Sequence, residues 1–246
     1  MIDRLQAHMK AMQLYSQAQE LTANNLANLN TPGFKADKLF FRMLTEEVDG
    51  KTMTRTEPML QISLEQGELE STGNDFDFAI DGPGFFMVEE EGQMYLTRNG
   101  RFNLDSDGFM RNENGAYVIG ESGKIHLPGL FHTMSQEHGG TGLEVAKDGT
   151  IRLNDEVYDR MRIVGVDDPS KLQRRGNSLF SVDQQALGPQ DSLSSVMQGY
   201  FEKGNVQALS EMTDMMRNMQ MFEAQQRAMH STDEMLSQAS QTLGRF

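Results

Sequence analysis

The chain has 246 residues, no cysteine, no tryptophan and 19 methionines, with 22 Lys and Arg against 36 Asp and Glu and a formal charge of −14. The missing thiols exclude disulfides, thiolate metal sites and cysteine nucleophiles. The acidic balance makes the chain a poor candidate for binding through nucleic-acid phosphates and disfavours anionic membrane surfaces, since both need clustered cations, so no nucleic-acid partner is expected. Residues 1–30 contain no Gly or Pro and read as one helix. Ile2, Leu5, Met9 and Met12 recur at 3-4-3 spacing, and Leu14, Ala18, Leu21, Asn25 and Asn28 form an offset second stripe. Asn30-Thr31-Pro32-Gly33 stops the helix. The N-terminus lacks a cationic start followed by an apolar block, so a secretory signal peptide is not expected. No apolar run approaches the length of a membrane span, so no membrane insertion is expected.

Residues 31–74 read as an extended β linker with weakly alternating pieces such as Leu60, Ile62 and Leu64. From residue 75 the pattern changes to short apolar runs between turn dipeptides. Phe76, Phe78 and Ile80 alternate with Asp77, Ala79 and Asp81, and Phe85-Phe86-Met87-Val88 reads as a strand after Gly82-Pro83-Gly84. Asn99-Gly100, Asp107-Gly108, Asn114-Gly115 and Asp148-Gly149 are turn signals, Asn99-Gly100 a favoured hairpin. Residues 75–195 therefore predict a central all-β domain. Residues 196–246 read as a C-terminal segment and helix. Leu209, Met212, Met216 and Met219 give one stripe at 3-4-3 spacing, and Met215, Met219, Phe222, Met229, Leu236 and Leu243 a second. The predicted fold class is α+β: paired N- and C-terminal coiled-coil helices, an extended β linker and a central all-β domain.

A helix of about 30 residues that buries about eight large apolar side chains gains roughly 12–24 kcal/mol gross. Ordering its backbone costs roughly 30–60 kcal/mol. The terminal helices are thus expected to be labile alone and stable only when packed against copies of themselves. An ordinary pair of helices closing one compact monomer is the alternative that the pattern leaves open.

The run Ala23-Asn24-Asn25-Leu26-Ala27-Asn28-Leu29-Asn30-Thr31-Pro32-Gly33-Phe34-Lys35 resembles the signature of bacterial flagellar rod and hook proteins, the axial subunits of the basal body. A second match runs from Asp77 to Phe86 and from Tyr95 to Phe102, and resembles the opening of that family's central β domain. A third covers Gly204-Asn205-Val206, Glu211 to Met215, Phe222-Glu223 and Ser231 to Leu236. The three occur in family order. Chain length and the pattern near Phe222 resemble the proximal-rod member more than the distal-rod member. The resemblance implies export through the flagellar type III apparatus and helical assembly with copies of itself and other rod proteins across the periplasm. It implies neither cofactor nor enzymatic activity. The implied assembly interface comprises Leu5, Met9, Met12, Leu14, Leu21, Asn24, Asn25, Leu26, Asn28, Asn30, Pro32, Gly33 and Phe34 at the N-terminal end. At the C-terminal end it comprises Leu209, Met212, Met215, Met216, Met219, Phe222, Met229 and Leu236. Replacing Asn25 and Asn28 by Ala is expected to impair assembly more than monomer stability.

Other chemistry-bearing residues have plain explanations. Asn103 to Gly108 resembles the start of a calcium loop, but the twelfth position is Asn114 where Glu is needed, so a β-turn is expected. His126, His132 and His138 are six apart and match no compact metal motif. Asp75, Asp77 and Asp81 form a pattern compatible with a carboxylate pair for hydrolysis, as in a secreted β-rich hydrolase, but strand alternation predicts a solvated face. Lys171, Arg174 and Arg175 read as a solvated basic loop. Charge divides along the chain: residues 1–30 carry no net charge, residues 205–246 carry −2, and the remaining −12 lies between them.

Overall fold

The computed structural model describes residues 2–48, 51–128, 142–166, 168–176, 178–181 and 194–243, with the side chains of 2–4, 44–56 and 236–243 left aside. It comprises two compact units. One unit contains Met1–Asn28, Asp37–Leu60 and Gln207–Phe246. The other contains Leu29–Ala36 and Gln61–Val206.

The first unit holds helix α1 (Ile2–Ala27), strand β1 (Asp37–Val48), most of strand β2 (Lys51–Ile62) and helix α2 (Ala208–Leu243). β1 and β2 form a two-stranded ribbon in the stretch that the sequence reads as an extended linker. The two helices lie alongside each other in opposite directions: His8 Nδ1 is 2.8 Å from Gln225 Oε1, and Asn25 near the end of α1 reaches Glu211 near the start of α2.

The predicted α+β class with paired coiled-coil helices is corrected here. The chain is mostly β, with seventeen strands and two α-helices among the described residues. A coiled coil needs apolar knobs sealed in facing holes. Among the described side chains of α1 and α2, the fully buried ones are Thr22 and Asn25, both polar, and every apolar one keeps some exposure. Met215, Phe222 and Met229 are half-buried, whereas Leu209, Met212, Met216 and Met219 are exposed. The helices meet along a partly polar seam and leave one apolar stripe uncovered.

The second unit carries the core. Its main sheet has the order β14 (Gln173–Gly176), β15 (Leu179–Ser181), β6 (Gln93–Thr97), β5 (Phe85–Glu90), β9 (Tyr117–Val118), β8 (Met110–Asn112), β7 (Phe102–Leu104), and β13 (Ile163–Val164) also pairs with β5. A three-stranded sheet follows from β10 (Leu143–Val145), β11 (Thr150–Leu153) and β12 (Glu156–Arg160). Two short pairs complete the unit: β4 (Phe78–Asp81) with β16 (Ser195–Gln198), and β3 (Leu69–Ser71) with β17 (Tyr200–Glu202).

β5 explains why the run Phe85-Phe86-Met87-Val88 is apolar without alternation. Phe86 and Val88 enter one core with Phe78, Phe102, Met110 and Ile151, while Phe85 and Met87 enter a second with Leu96, Leu172 and Phe180. A strand covered on both faces has no solvent side on which to place polar residues. Phe86 meets Phe102 edge to face at 5.4 Å, and Phe85 meets Phe180 likewise at 5.7 Å.

Three turn dipeptides close antiparallel pairs: Asp107-Gly108 joins β7 to β8, Asn114-Gly115 joins β8 to β9, and Asp148-Gly149 joins β10 to β11. Asn99-Gly100 makes no hairpin, because β6 pairs with β5 and β15 while β7 pairs with β8. Gly100 instead lies against the chain at Phe78: its carbonyl accepts the Phe78 N–H at 2.9 Å, and a Cβ there would sit 1.8 Å from the Phe78 carbonyl oxygen.

Phe86→Ala is expected to destabilise the second unit by about 3–5 kcal/mol, because it empties a position shared by three phenylalanines. Val157→Ala on exposed β12 should stay within about 0.5 kcal/mol of the parent. Urea unfolding followed by near-ultraviolet circular dichroism separates the two.

Candidate functional site

The three motifs converge on one buried carboxylate. Glu202, at the end of β17, lies two residues before Gly204-Asn205 and is almost wholly enclosed. Its Oε1 accepts from Lys35 Nζ at 2.6 Å and from the Gly67 N–H at 2.8 Å. Its Oε2 accepts from Arg98 Nη1 at 3.1 Å. Lys35 ends the N-terminal signature, and Arg98 lies in the Tyr95–Phe102 motif. Lys35, Arg98 and Glu202 are 0%, 3% and 1% exposed.

Two cations and one anion leave a net buried positive charge, and backbone carbonyls answer it. Lys35 Nζ donates to the Glu65 carbonyl at 2.7 Å, Arg98 Nη1 to that of Ile80 at 3.1 Å, and Arg98 Nη2 to that of Gly82 at 2.6 Å. Burial pulls the Lys35 ammonium below its ordinary value and pulls Arg98 down likewise, with Glu202 opposing the shift in both.

The backbone around the ions is pinned with equal care. Gly33 N–H donates to the Glu202 carbonyl at 2.7 Å. Gly33 has φ +65°, and a Cβ on it would lie 2.2 Å from Asn99 N, so only glycine lets the signature press on the Arg98-Asn99 peptide. Asn205 uses its whole amide: Oδ1 accepts from Ala36 N–H at 2.7 Å, and Nδ2 donates to the carbonyls of Ser63 at 3.0 Å and Glu65 at 2.9 Å. Phe34 is buried with Ala36 and Val206, and the Arg174 guanidinium lies 4.5 Å over its ring. Arg174 also donates to the Lys35 carbonyl. The reading of Arg174 as part of a solvated loop is therefore corrected.

The remaining residues of the implied interface divide by unit. In the first unit, Leu5, Met12, Leu14, Leu21 and Leu26 are half-buried, and Met9 and Asn24 are exposed. Asn25 is buried, and its amide imitates a peptide: Nδ2 donates to the Asp37 carbonyl and Oδ1 accepts the Asp37 N–H, both at 3.0 Å. The same Nδ2 lies 3.3 Å from Glu211 Oε1, whose carboxyl is pushed up by partial burial against the opposing effect of this hydrogen bond. Asn28 Nδ2 donates to the Asn24 carbonyl at 2.9 Å and closes the last turn of α1. In the second unit, Asn30 is exposed, Pro32 is half-buried, and Gly33 and Phe34 are buried. The Leu236 side chain lies outside the described residues.

Asp105, His126 and Asp77, among the residues considered for metal or hydrolytic chemistry, have structural roles. Asp105 Oδ1 accepts the Asp107 and Phe109 N–H groups in the turn expected there. His126 stacks on Phe109 at 4.6 Å, and its Nε2 lies 2.9 Å from the Asp107 carbonyl, while His132 and His138 fall outside the described residues. Asp77 is buried where a solvated side chain was expected, and it accepts from Asn74 Nδ2 at 3.2 Å.

Three family profiles match the chain in order. They are "Flagella basal body rod protein" over residues 5–35, "Flagellar hook protein FlgE/F/G D1 domain" over 79–153, and "Flagellar basal body rod FlgEFG protein C-terminal" over 197–242. The flagellar basal-body rod protein FlgF of Caulobacter vibrioides is 30% identical over 236 residues, with 92% of each chain covered. That of Escherichia coli K12 is 32% identical, again over 92% of each. The chain belongs to the flagellar basal-body rod protein family. Within that family it is of the FlgF type; a FlgG protein of Buchnera aphidicola is 26% identical over 90% of this chain and 92% of its own. The first profile ends at Lys35 and the third begins five residues before Glu202, so the ion cluster draws on the margins of both, within the second unit.

Lys35, Arg98, Glu202 and Asn205 are not among the residues that periodicity selects. The available signal was their place within or beside motifs that are otherwise apolar, glycine or asparagine. Glu202→Gln leaves two buried cations facing each other and is expected to cost about 3–5 kcal/mol. Lys35→Met leaves the Arg98–Glu202 pair intact and should cost less, about 1–3 kcal/mol. Guanidinium denaturation of both variants measures the order.

Proposed function

We propose that this rod-family protein is a subunit of the proximal rod, exported through the flagellar type III apparatus and assembled across the periplasm with copies of itself and other rod proteins. Its role is structural: it transmits torque and catalyses nothing. The FlgF names of its relatives support the proximal position, and the family supports assembly in the basal body.

The observation that carries the assembly reading is the uncovered stripe on α2. Leu209, Met212, Met216 and Met219 stand on one face at 3-4-3 spacing and are 80%, 48%, 59% and 52% exposed. Covering the part of these four side chains that is still exposed yields about 4–7 kcal/mol gross. Association costs about 4–15 kcal/mol. One such contact is marginal between two subunits, whereas repeated contacts around a tube accumulate. Heterologous contacts that do not close into a ring generate helical assemblies. Torque then passes through a β unit whose terminal segments are held by Glu202, where yielding would strand buried charge.

Met212→Gln with Met216→Gln is expected to reduce recovery of the chain in isolated basal bodies at least about tenfold, which is the loss of about 1.4 kcal/mol in an equilibrium. Its folded circular dichroism spectrum should be unchanged, since both side chains already face solvent. Normal incorporation and swimming of a strain carrying only this variant would remove α2 from the interface.

A further inference from the structure

The methionines range from sealed positions through half-buried Met12, Met197, Met215 and Met229 to open ones. Met87, Met110 and Met161 are sealed in the β unit at 4%, 0% and 0% exposure. Met212, Met216 and Met219 form three of the four positions of the α2 stripe and are about half exposed or more, as are the scattered Met9, Met43, Met94 and Met235. With no cysteine in the chain, the thioether is its softest accessible nucleophile toward peroxides. We propose that Met212, Met216 and Met219 are a site of reversible oxidation to methionine sulfoxide, which bars a free subunit from assembly. The proposal rests on the reading of this stripe as an assembly surface.

The chemistry is closed. The sulfur lone pair attacks one oxygen of hydrogen peroxide, an S–O bond forms and the O–O bond breaks. Sulfur is oxidised by two electrons, and the peroxide is reduced to water. The product replaces a flexible apolar side chain by a polar S=O acceptor. An acceptor of that kind in an apolar interface loses water without gaining a donor. Three of them lie within two turns of one helix, so each oxidation disables the same face. Leu209, in the same row, is inert to this chemistry. Assembly would cover the row and slow its oxidation, so the free subunit is the sensitive form. Methionine sulfoxide reductases, which act on both sulfoxide epimers, would restore it.

The test uses the purified full chain. Peptide mass spectrometry after graded hydrogen peroxide should show Met212, Met216 and Met219 oxidised at least about tenfold faster than Met87, Met110 and Met161, following exposure. Self-association by sedimentation should fall several-fold in the oxidised wild type, recover after treatment with the reductases, and persist in peroxide-treated M212L/M216L/M219L. The oxidation proposal is overturned if the two groups oxidise at equal rates, if the oxidised wild type still associates, or if the Leu variant loses association equally. The M212Q/M216Q/M219Q variant separates the two readings. If it associates like the untreated wild type, or if the untreated wild type stays monomeric up to about millimolar concentration, where even a marginal contact populates oligomers, the assembly reading is what falls. If it fails to associate while the oxidised wild type succeeds, only the oxidation proposal falls.

Discussion

Glu202 is the constraint on which the β unit depends. A carboxylate removed from water must be met by opposite charge and hydrogen bonds, and here the partners come from widely separated parts of the chain. Lys35 lies 167 residues before it and Arg98 104 residues before it. Gly67 and Glu65 supply backbone groups from a fourth segment. A buried ion group of this kind adds little net stability over an apolar replacement, but an arrangement that leaves a buried charge uncompensated is heavily penalised. Its effect is therefore selective: it admits one seating of residues 33–36 and 202–206 on the sheet. The glycines follow from that seating. Gly33 and Gly67 would each place a Cβ within 2.2 Å of backbone, at Asn99 N and the Lys203 carbonyl respectively.

The same reasoning explains how asparagine is used. Asn205 and Asn25 both replace peptide groups with side-chain amides at places where the chain leaves regular structure, one in each unit. Each amide satisfies a backbone donor and a backbone acceptor at once. Asn25 thereby fixes the start of β1 relative to α1 within the first unit. Its bonds to Asp37 are internal to the chain, so its removal acts on the monomer as well as on any interface.

The sequence was most informative where one local rule acted alone. The helical periodicity read over residues 1–30 and 205–246 corresponds to helices at Ile2–Ala27 and Ala208–Leu243, and the run Phe85 to Val88 and three of the four turn dipeptides likewise mark elements. It misled where a tertiary partner overrode the local rule. Asn99-Gly100 has hairpin chemistry, yet its glycine is required by close approach to Phe78. Arg174 sits in a polar run, yet it covers Phe34 and bonds the Lys35 carbonyl. The paired coiled coil failed for a related reason: the seam between α1 and α2 is shared with polar side chains such as Thr22, Asn25 and Gln225. Lys35, Arg98 and Glu202 were the hardest to see, because charged residues normally face water. Pairing across more than a hundred residues leaves no periodic trace.

The distribution of charge sharpens the division between the two ends and the middle. A chain with −12 concentrated in residues 31–204 resists close approach of copies through that region at low ionic strength. Segments with net charges of 0 and −2 offer little such resistance. The uncovered apolar side chains of α2 lie in one of these nearly neutral segments, so hydrophobic attraction there is not opposed by net repulsion. Added salt screens the acidic middle within about 8 Å at physiological ionic strength and leaves apolar contact in place. Net charge thus opposes close approach far less at the two ends than in the acidic middle.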